Sequence, residues 1–207
     1  MPKKFGVAFV IMGAVLIILA LLLFMYNKME DRRAGQHAEV LVDDIHAVIH
    51  TEPVTEETTE PEPEETLPPE LPVEIIDGYG YVGILNIPDL EIELPIMAEW
   101  DYTRLKIAPC RHVGSSRTDD LVISAHNYAS HFGKLKTLEI GAEVIFTDMD
   151  GIVNRYVLER GPETLAPTAV DEVLNSGYDL VLYTCTPGGA TRVVAFFNRV
   201  EEPVAVG

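Results

Sequence analysis

The sequence predicts a mostly-β domain, a small barrel or sandwich with a few short helices, standing behind an apolar helix and an acidic spacer. Three observations predict it. Short apolar runs such as Leu121–Ala125 and Leu180–Cys185 recur between turn residues from Tyr79 onward, the spacing of an all-β fold. Two of the turns are explicit, Asp148-Met149-Asp150-Gly151 and Pro187-Gly188-Gly189, and Asp-Gly is a hairpin signal. No charged residue falls between Phe5 and Tyr26, a run that meets the roughly 20 residues a helix needs to cross a bilayer core.

Taken in order, residues 1–29 read as a membrane anchor, with the helix over about 5–26. A cleaved signal peptide has an apolar region of only about 7–15 residues followed by small residues; this run is longer and ends in Phe24-Met25-Tyr26-Asn27-Lys28. Lys3 and Lys4 on one side and Lys28, Arg32 and Arg33 on the other leave its orientation open. Residues 30–77 read as a stalk. Leu41, Ile45 and Val48 fall at helical spacing, whereas residues 51–72 are almost all Thr, Glu and Pro, with nothing to bury and with charges that repel. Residues 78–207 are long enough to hold a core of their own. Strands are expected over residues 79–87, 91–96, 121–125, 142–147, 153–160, 179–184 and 191–200, with turns of helix near 102–106, 132–138 and 170–174.

The formal net charge is −18, and residues 30–78 carry −13 of it, from fifteen acids against Arg32 and Arg33. Nucleic-acid binding rests on neutralising phosphates with Lys and Arg, so no nucleic-acid partner is expected. The two cysteines, Cys110 and Cys185, are too few for a disulfide framework; they form one bridge or stand as two free thiols. No cofactor or metal is expected. His126 with His131, and His46 with His50, lack a third ligand nearby.

Three residues stand where chemistry is possible. Cys185 ends the apolar run Leu180-Val181-Leu182-Tyr183-Thr184 and is followed at once by a Pro-Gly-Gly turn, which places a thiol at a barrel mouth; the bland alternative is a small buried core residue. His126 ends Leu121-Val122-Ile123-Ser124-Ala125, and a histidine there acts as acid or base near neutral pH or simply caps the strand. Arg192 opens Arg192-Val193-Val194-Ala195-Phe196-Phe197, where a charge needs a partner or a charged ligand. Strand alternation puts Arg192, Val194 and Phe196 on one face and Val193, Ala195, Phe197 and Arg199 on the other. His112 follows Cys110 closely, both in a polar stretch, residues 109–120, and Cys110 reads as a bystander or at most a site of incidental oxidation. Residues 67–70 read as plain spacer, though Leu-Pro-Pro-Glu loosely mimics a peptide substrate motif.

Together these stretches resemble the sortases. LVLYTC resembles the family's TLxTC signature, with Val181 where the family has Thr; LVISAHN resembles the strand ending in the family's histidine; TRVVAFFNRV resembles the last strand, which begins with its arginine. The likeness runs over about residues 79–203. It implies an eight-stranded sortase β-barrel, a single-pass amino-terminal anchor with the catalytic domain outside a Gram-positive cell, and a cysteine transpeptidase. On that resemblance Cys185 is the nucleophile, His126 the acid, Arg192 the oxyanion or backbone donor, and Thr184 a substrate contact. The implied partners are proteins with LPxTG-like sorting signals and an amine acceptor, a peptidoglycan precursor or a pilin lysine. Asn127 and the Phe132-Gly133-Lys134-Leu135 segment look like class B, but only about 30 residues separate the Asp-Gly hairpin from Cys185, too few for that class's long helical insertion, so the class is unassigned. The rival readings are an L,D-transpeptidase-like cell-wall enzyme, whose signature sets His and Gly just before the Cys, and an inactive anchored structural or adhesion domain.

Overall fold

Strands with one apolar face bury it only by closing on one another or on a helix, and both happen here. The computed structural model describes residues 2–49 and 67–200; the Glu/Pro/Thr-rich part of the expected stalk, residues 50–66, lies outside them. The elements are α1 (Pro2–Ile49), β1 (Glu74–Ile76), β2 (Tyr79–Ile87), β3 (Ile92–Met97), β4 (Cys110–Val113), β5 (Leu121–Ala125), β6 (Glu143–Asp148), β7 (Val153–Leu165), α2 (Val170–Leu174), β8 (Leu180–Cys185) and β9 (Arg192–Arg199). The sheet order is β1-β2-β3-β4-β5-β8-β9-β7-β6, and β6 pairs back onto β2. Strands β2 to β9 therefore form a closed eight-stranded barrel, with β1 a short addition on β2. Closure removes the open sheet edges.

Closing the ring brings two backbones very near each other. Gly83 opposes Asp148 across the β2–β6 seam, beside a bulge between Tyr81 and Gly83. A Cβ on Gly83 would lie 2.1 Å from the Thr147 carbonyl oxygen, and its φ is +152°. Only glycine fits there.

The chain divides between Arg33 and Ala34 into two compact units. In the first, α1 exposes Phe9, Ile11, Leu16, Leu22 and Phe24 around its circumference, and the helix is long and apolar enough to cross a membrane. In the second, the last turns of α1 belong to the fold. Leu41, Val42 and Ile45 are buried in one cluster with Tyr81, Ile84, Met97, Cys110 and Met149, and His46 pairs with Glu93 at 3.2 Å. The sequence shows the helical spacing of this stretch but not that its apolar stripe has a place on the outside of the barrel.

Residues 68–70 are tied down at the barrel end away from Cys185. Arg117 donates to the carbonyl oxygens of Pro68 and Glu70 and to the carboxylates of Asp148, at 2.9 Å, and Asp150. Asp148 is fully buried and also accepts the backbone N–H groups of Asp150 and Ile152, so this ion pair is hydrogen-bonded on both sides. The interior core is formed by Leu85, Ile96, Ile123, Phe146, Leu182 and Phe197 with their neighbours. A third cluster lies on the outer face, where Val173 of α2 covers Val122, Val181, Val194 and Phe196.

Three substitutions test this account by thermal or denaturant unfolding of the full chain in detergent. Ile45→Ala is expected to cost about 2–4 kcal/mol, because it empties a fully buried site, while Val40→Ala on the exposed side of the same helix stays within about 0.5 kcal/mol. Gly83→Ala is expected to abolish the cooperative transition of the barrel; a normal melt from that variant would show that the β2–β6 seam yields.

Candidate active site

Register alone assembles the site. β5 and β8 run parallel, with Ala125 level with Thr184. His126, the next residue after β5, thus comes level with Cys185, the last residue of β8. β8 and β9 run antiparallel, and Cys185 is directly opposite Arg192. Three adjacent strand ends therefore present His126, Cys185 and Arg192 side by side at one rim of the barrel.

Alternation sets which way each side chain faces. Leu180 and Leu182 belong to the interior core and Val181 to the outer cluster, so Cys185 shares the outer face with Val181 and Tyr183. On β9, Val193, Ala195 and Phe197 point inward while Val194 and Phe196 point outward, which puts Arg192 on the outer face as well. Arg199 is at the far end of β9, held by Asp119, Asn154 and the Ser116 carbonyl.

His126 stacks flat on Tyr128, with ring centroids 4.1 Å apart and 6° between planes. Its Nδ1 is 3.0 Å from Asn127 Oδ1. An amide oxygen only accepts, so Nδ1 carries a proton and Nε2 is the nitrogen left for chemistry. Arg192 donates through Nη1 to the carbonyl oxygens of Gly189 and Thr191, each at 3.1 Å. That fixes the guanidinium against the turn and leaves Nη2 and Nε for a ligand.

The two thiols differ sharply. Both are free, which decides between the bridge and two thiols. Cys110 is fully buried behind the last turns of α1, its Sγ facing the Ala108 carbonyl at 3.5 Å, and burial pushes its pKa up to about 12. Cys185 is partly exposed. Thr184, expected as a substrate contact, is instead 3% exposed and its Oγ1 donates to the Ala125 carbonyl at 2.9 Å. It faces the interior because it falls one residue before Cys185, and it bonds β8 to β5 rather than reaching substrate.

Beside this row lies a cavity of about 220 Å³ lined by Tyr102, His112, Pro167, Val170, Tyr183 and Arg192 among others. Residues 166–169 and α2 form its apolar wall, and β4, β8 and β9 its polar one. His112, which sequence reading places in a polar stretch with Cys110, is on β4 and hydrogen-bonds Tyr183 through Nδ1 at 2.7 Å. A strand of four residues with Arg and His in its middle carries too little alternation to be recognised in the sequence. Among the described residues no group of three or more His, Cys, Asp or Glu side chains is placed to hold a metal ion.

The Sortase domain family matches residues 85–200, more than half the chain. Solved structures with the same fold include sortase C1 from Streptococcus agalactiae (TM-score 0.54, 23% identity, covering 62% of this chain and 72% of that one). They also include sortase E from Streptomyces avermitilis (0.50, 25%, 61% and 93%) and a sortase D5 transpeptidase from Clostridium perfringens (0.52, 17%, 62% and 83%). Among curated proteins the chain has no match. With the barrel closed in the same way, this chain belongs to the sortase family of cysteine transpeptidases.

Proposed function

We propose that the protein is a membrane-anchored transpeptidase that cleaves an LPxTG-like sorting signal and joins the substrate to an amine on the cell wall or on a pilin, with Cys185, His126 and Arg192 as its working residues. The observation that carries this reading is the row His126–Cys185–Arg192 on three adjacent strand ends. The helix within residues 1–29 serves as a single-pass anchor, and residues 78–207 act outside the cell.

The chemistry follows from the row. The thiolate of Cys185 attacks the carbonyl carbon of the scissile threonine. A thioester forms as the peptide C–N bond breaks, and imidazolium His126 gives its Nε2 proton to the departing amine. An incoming amine then attacks the thioester and passes a proton to His126, and a new amide forms as the thiolate leaves. Arg192 donates from its uncommitted nitrogens to the oxygen that gains charge in each tetrahedral intermediate, and its backbone-held guanidinium needs no reordering to do so. The buried Cys110 takes no part, since a thiol held near pKa 12 is almost wholly protonated at neutral pH.

Incubating the full chain in detergent with LPxTG-type peptides and an amine, followed by mass spectrometry, tests the reading. An acyl adduct on Cys185 and its loss in a folded Cys185→Ala variant are expected; transfer that survives this substitution excludes Cys185 as nucleophile. Alkylation of the native chain with iodoacetamide is expected to modify Cys185 and spare Cys110, and an unreactive Cys185 would favour an inert structural domain.

Arg192→Ala is expected to slow transfer by roughly 10²–10³-fold, and Arg192→Lys to restore little of it, because an ammonium lacks the planar fork of donors. Arg199→Ala should lower the melting temperature, since it strips partners from Asp119 and Asn154, yet leave turnover per folded molecule within about twofold. Equal losses of turnover from Arg192→Ala and Arg199→Ala would overturn the role given to Arg192.

A further inference from the structure

The polar wall of the cavity holds a group that the row of three does not use. His112 is fixed on two sides: its ring stacks on Trp100, with centroids 5.2 Å apart and 22° between planes, and its Nδ1 meets the Tyr183 hydroxyl at 2.7 Å. Burial lowers the pKa of His112 and raises that of Tyr183, so both groups are neutral at pH 7. A neutral imidazole has one N–H, and His112 is the partner of the Tyr183 hydroxyl. In the tautomer in which the phenol donates to Nδ1, the imidazole proton is on Nε2. Nε2 makes no hydrogen bond within the described residues, and His112 lines the cavity together with Arg192. A donor held at one ring face and one ring nitrogen, with its proton uncommitted beside an apolar wall, is the kind of polar group that orients a ligand in a mostly apolar site.

Its distance from the thiol sets what it meets. Tyr183 and Cys185 share one face of β8, two residues apart, so Tyr183 sits roughly 7 Å along the strand from Cys185. His112 is on β4, two strands across from β8 with β5 between them, roughly 10 Å to the side, and an extended peptide covers the combined distance in about three to four residues. We propose that His112, fixed by Tyr183 and Trp100, is a substrate-binding residue that donates a hydrogen bond from Nε2 to an oxygen of the sorting peptide three to four residues before the scissile carbonyl, with Tyr183 acting through it as a positioning residue. This rests on the reading of Cys185 as the nucleophile.

Trp100 is the sole tryptophan of the chain, and its contact with His112 makes its fluorescence a reporter of binding in this cavity. The test titrates a synthetic LPxTG-type peptide with glutamate at x into the full chain carrying Cys185→Ala, which binds without turnover. His112→Leu is expected to raise Kd about tenfold, the scale of one hydrogen bond to a ligand. His112→Gln, whose amide N–H reaches about as far as Nε2, should stay within about threefold, and Tyr183→Phe should fall between the two. With Cys185 intact, the rate of iodoacetamide alkylation should be the same with and without His112→Leu. An unchanged Kd in His112→Leu overturns the inference, and so does a fall in thiol reactivity that accompanies the weaker binding, since that would mark a structural role. Acyl-adduct formation in the unmodified chain separates the two readings: an adduct with a Kd indifferent to His112 defeats this inference alone, while neither adduct nor binding defeats both.

Discussion

The hydrogen-bond register that locks β8 between β5 and β9 is the constraint on which everything else here depends. β8 is bonded on one side to a parallel neighbour over five consecutive pairs and on the other to an antiparallel neighbour over six. A strand held on both edges cannot slip by one residue without turning every side chain to the opposite face. That slip would send Leu180, Leu182 and Thr184 outward and drive Cys185 into the apolar interior. The core and the candidate site thus enforce each other: burying Leu182 and Phe197 is what puts Cys185 and Arg192 on the outer face, where Arg192 lines the cavity.

Around that ladder the barrel distributes its duties by face and by end. The interior is apolar. One patch of the exterior is covered by α1, which leaves Cys110 inert; another is covered by α2, which gives the cavity its apolar wall. The end opposite Cys185 is a polar knot in which Arg117 and Arg199 tie the segment before β5 to Asp148, Asn154 and residues 68–70. Buried ion pairs of this kind add little net stability relative to apolar packing, yet removing one partner is costly. The knot fixes the chain's path into β5, and hence the strand that delivers His126.

Much of this was legible in the sequence, and the omissions have physical causes. Runs such as Leu121–Ala125 and Leu180–Cys185 are apolar on both faces because the interior lies under one face and α2 over the other, so they stand out without ambiguity. The alternation in β9 placed Arg192 and Arg199 on opposite faces, as found. β4 escaped notice because four residues with Cys, Arg and His carry no period, and with it went the contact between His112 and Tyr183, which joins residues 71 positions apart. The place of Thr184 in a signature suggests a substrate contact. Parity along the strand, readable from Leu180 and Leu182, already pointed it inward. The docking of Leu41, Val42 and Ile45 could not be read locally, since a helical stripe says that something covers it but not what.

The turn between β8 and β9 carries a consequence for how such a site varies. Residues 186–191 connect Cys185 to Arg192, yet the ladder and not the turn sets those two opposite each other. Gly188 and Gly189, both at positive φ, shape the connection but do not measure it. Residues added to or removed from this loop, odd or even in number, therefore leave Cys185 opposite Arg192 while moving the Gly189 and Thr191 carbonyls that hold the guanidinium, whereas a single residue inserted between Arg192 and Phe197 inverts the strand beyond it. Evolutionary drift and laboratory grafting are thereby channelled to the loop, where a new rim can be fashioned beside an unaltered pairing of Cys185 with Arg192.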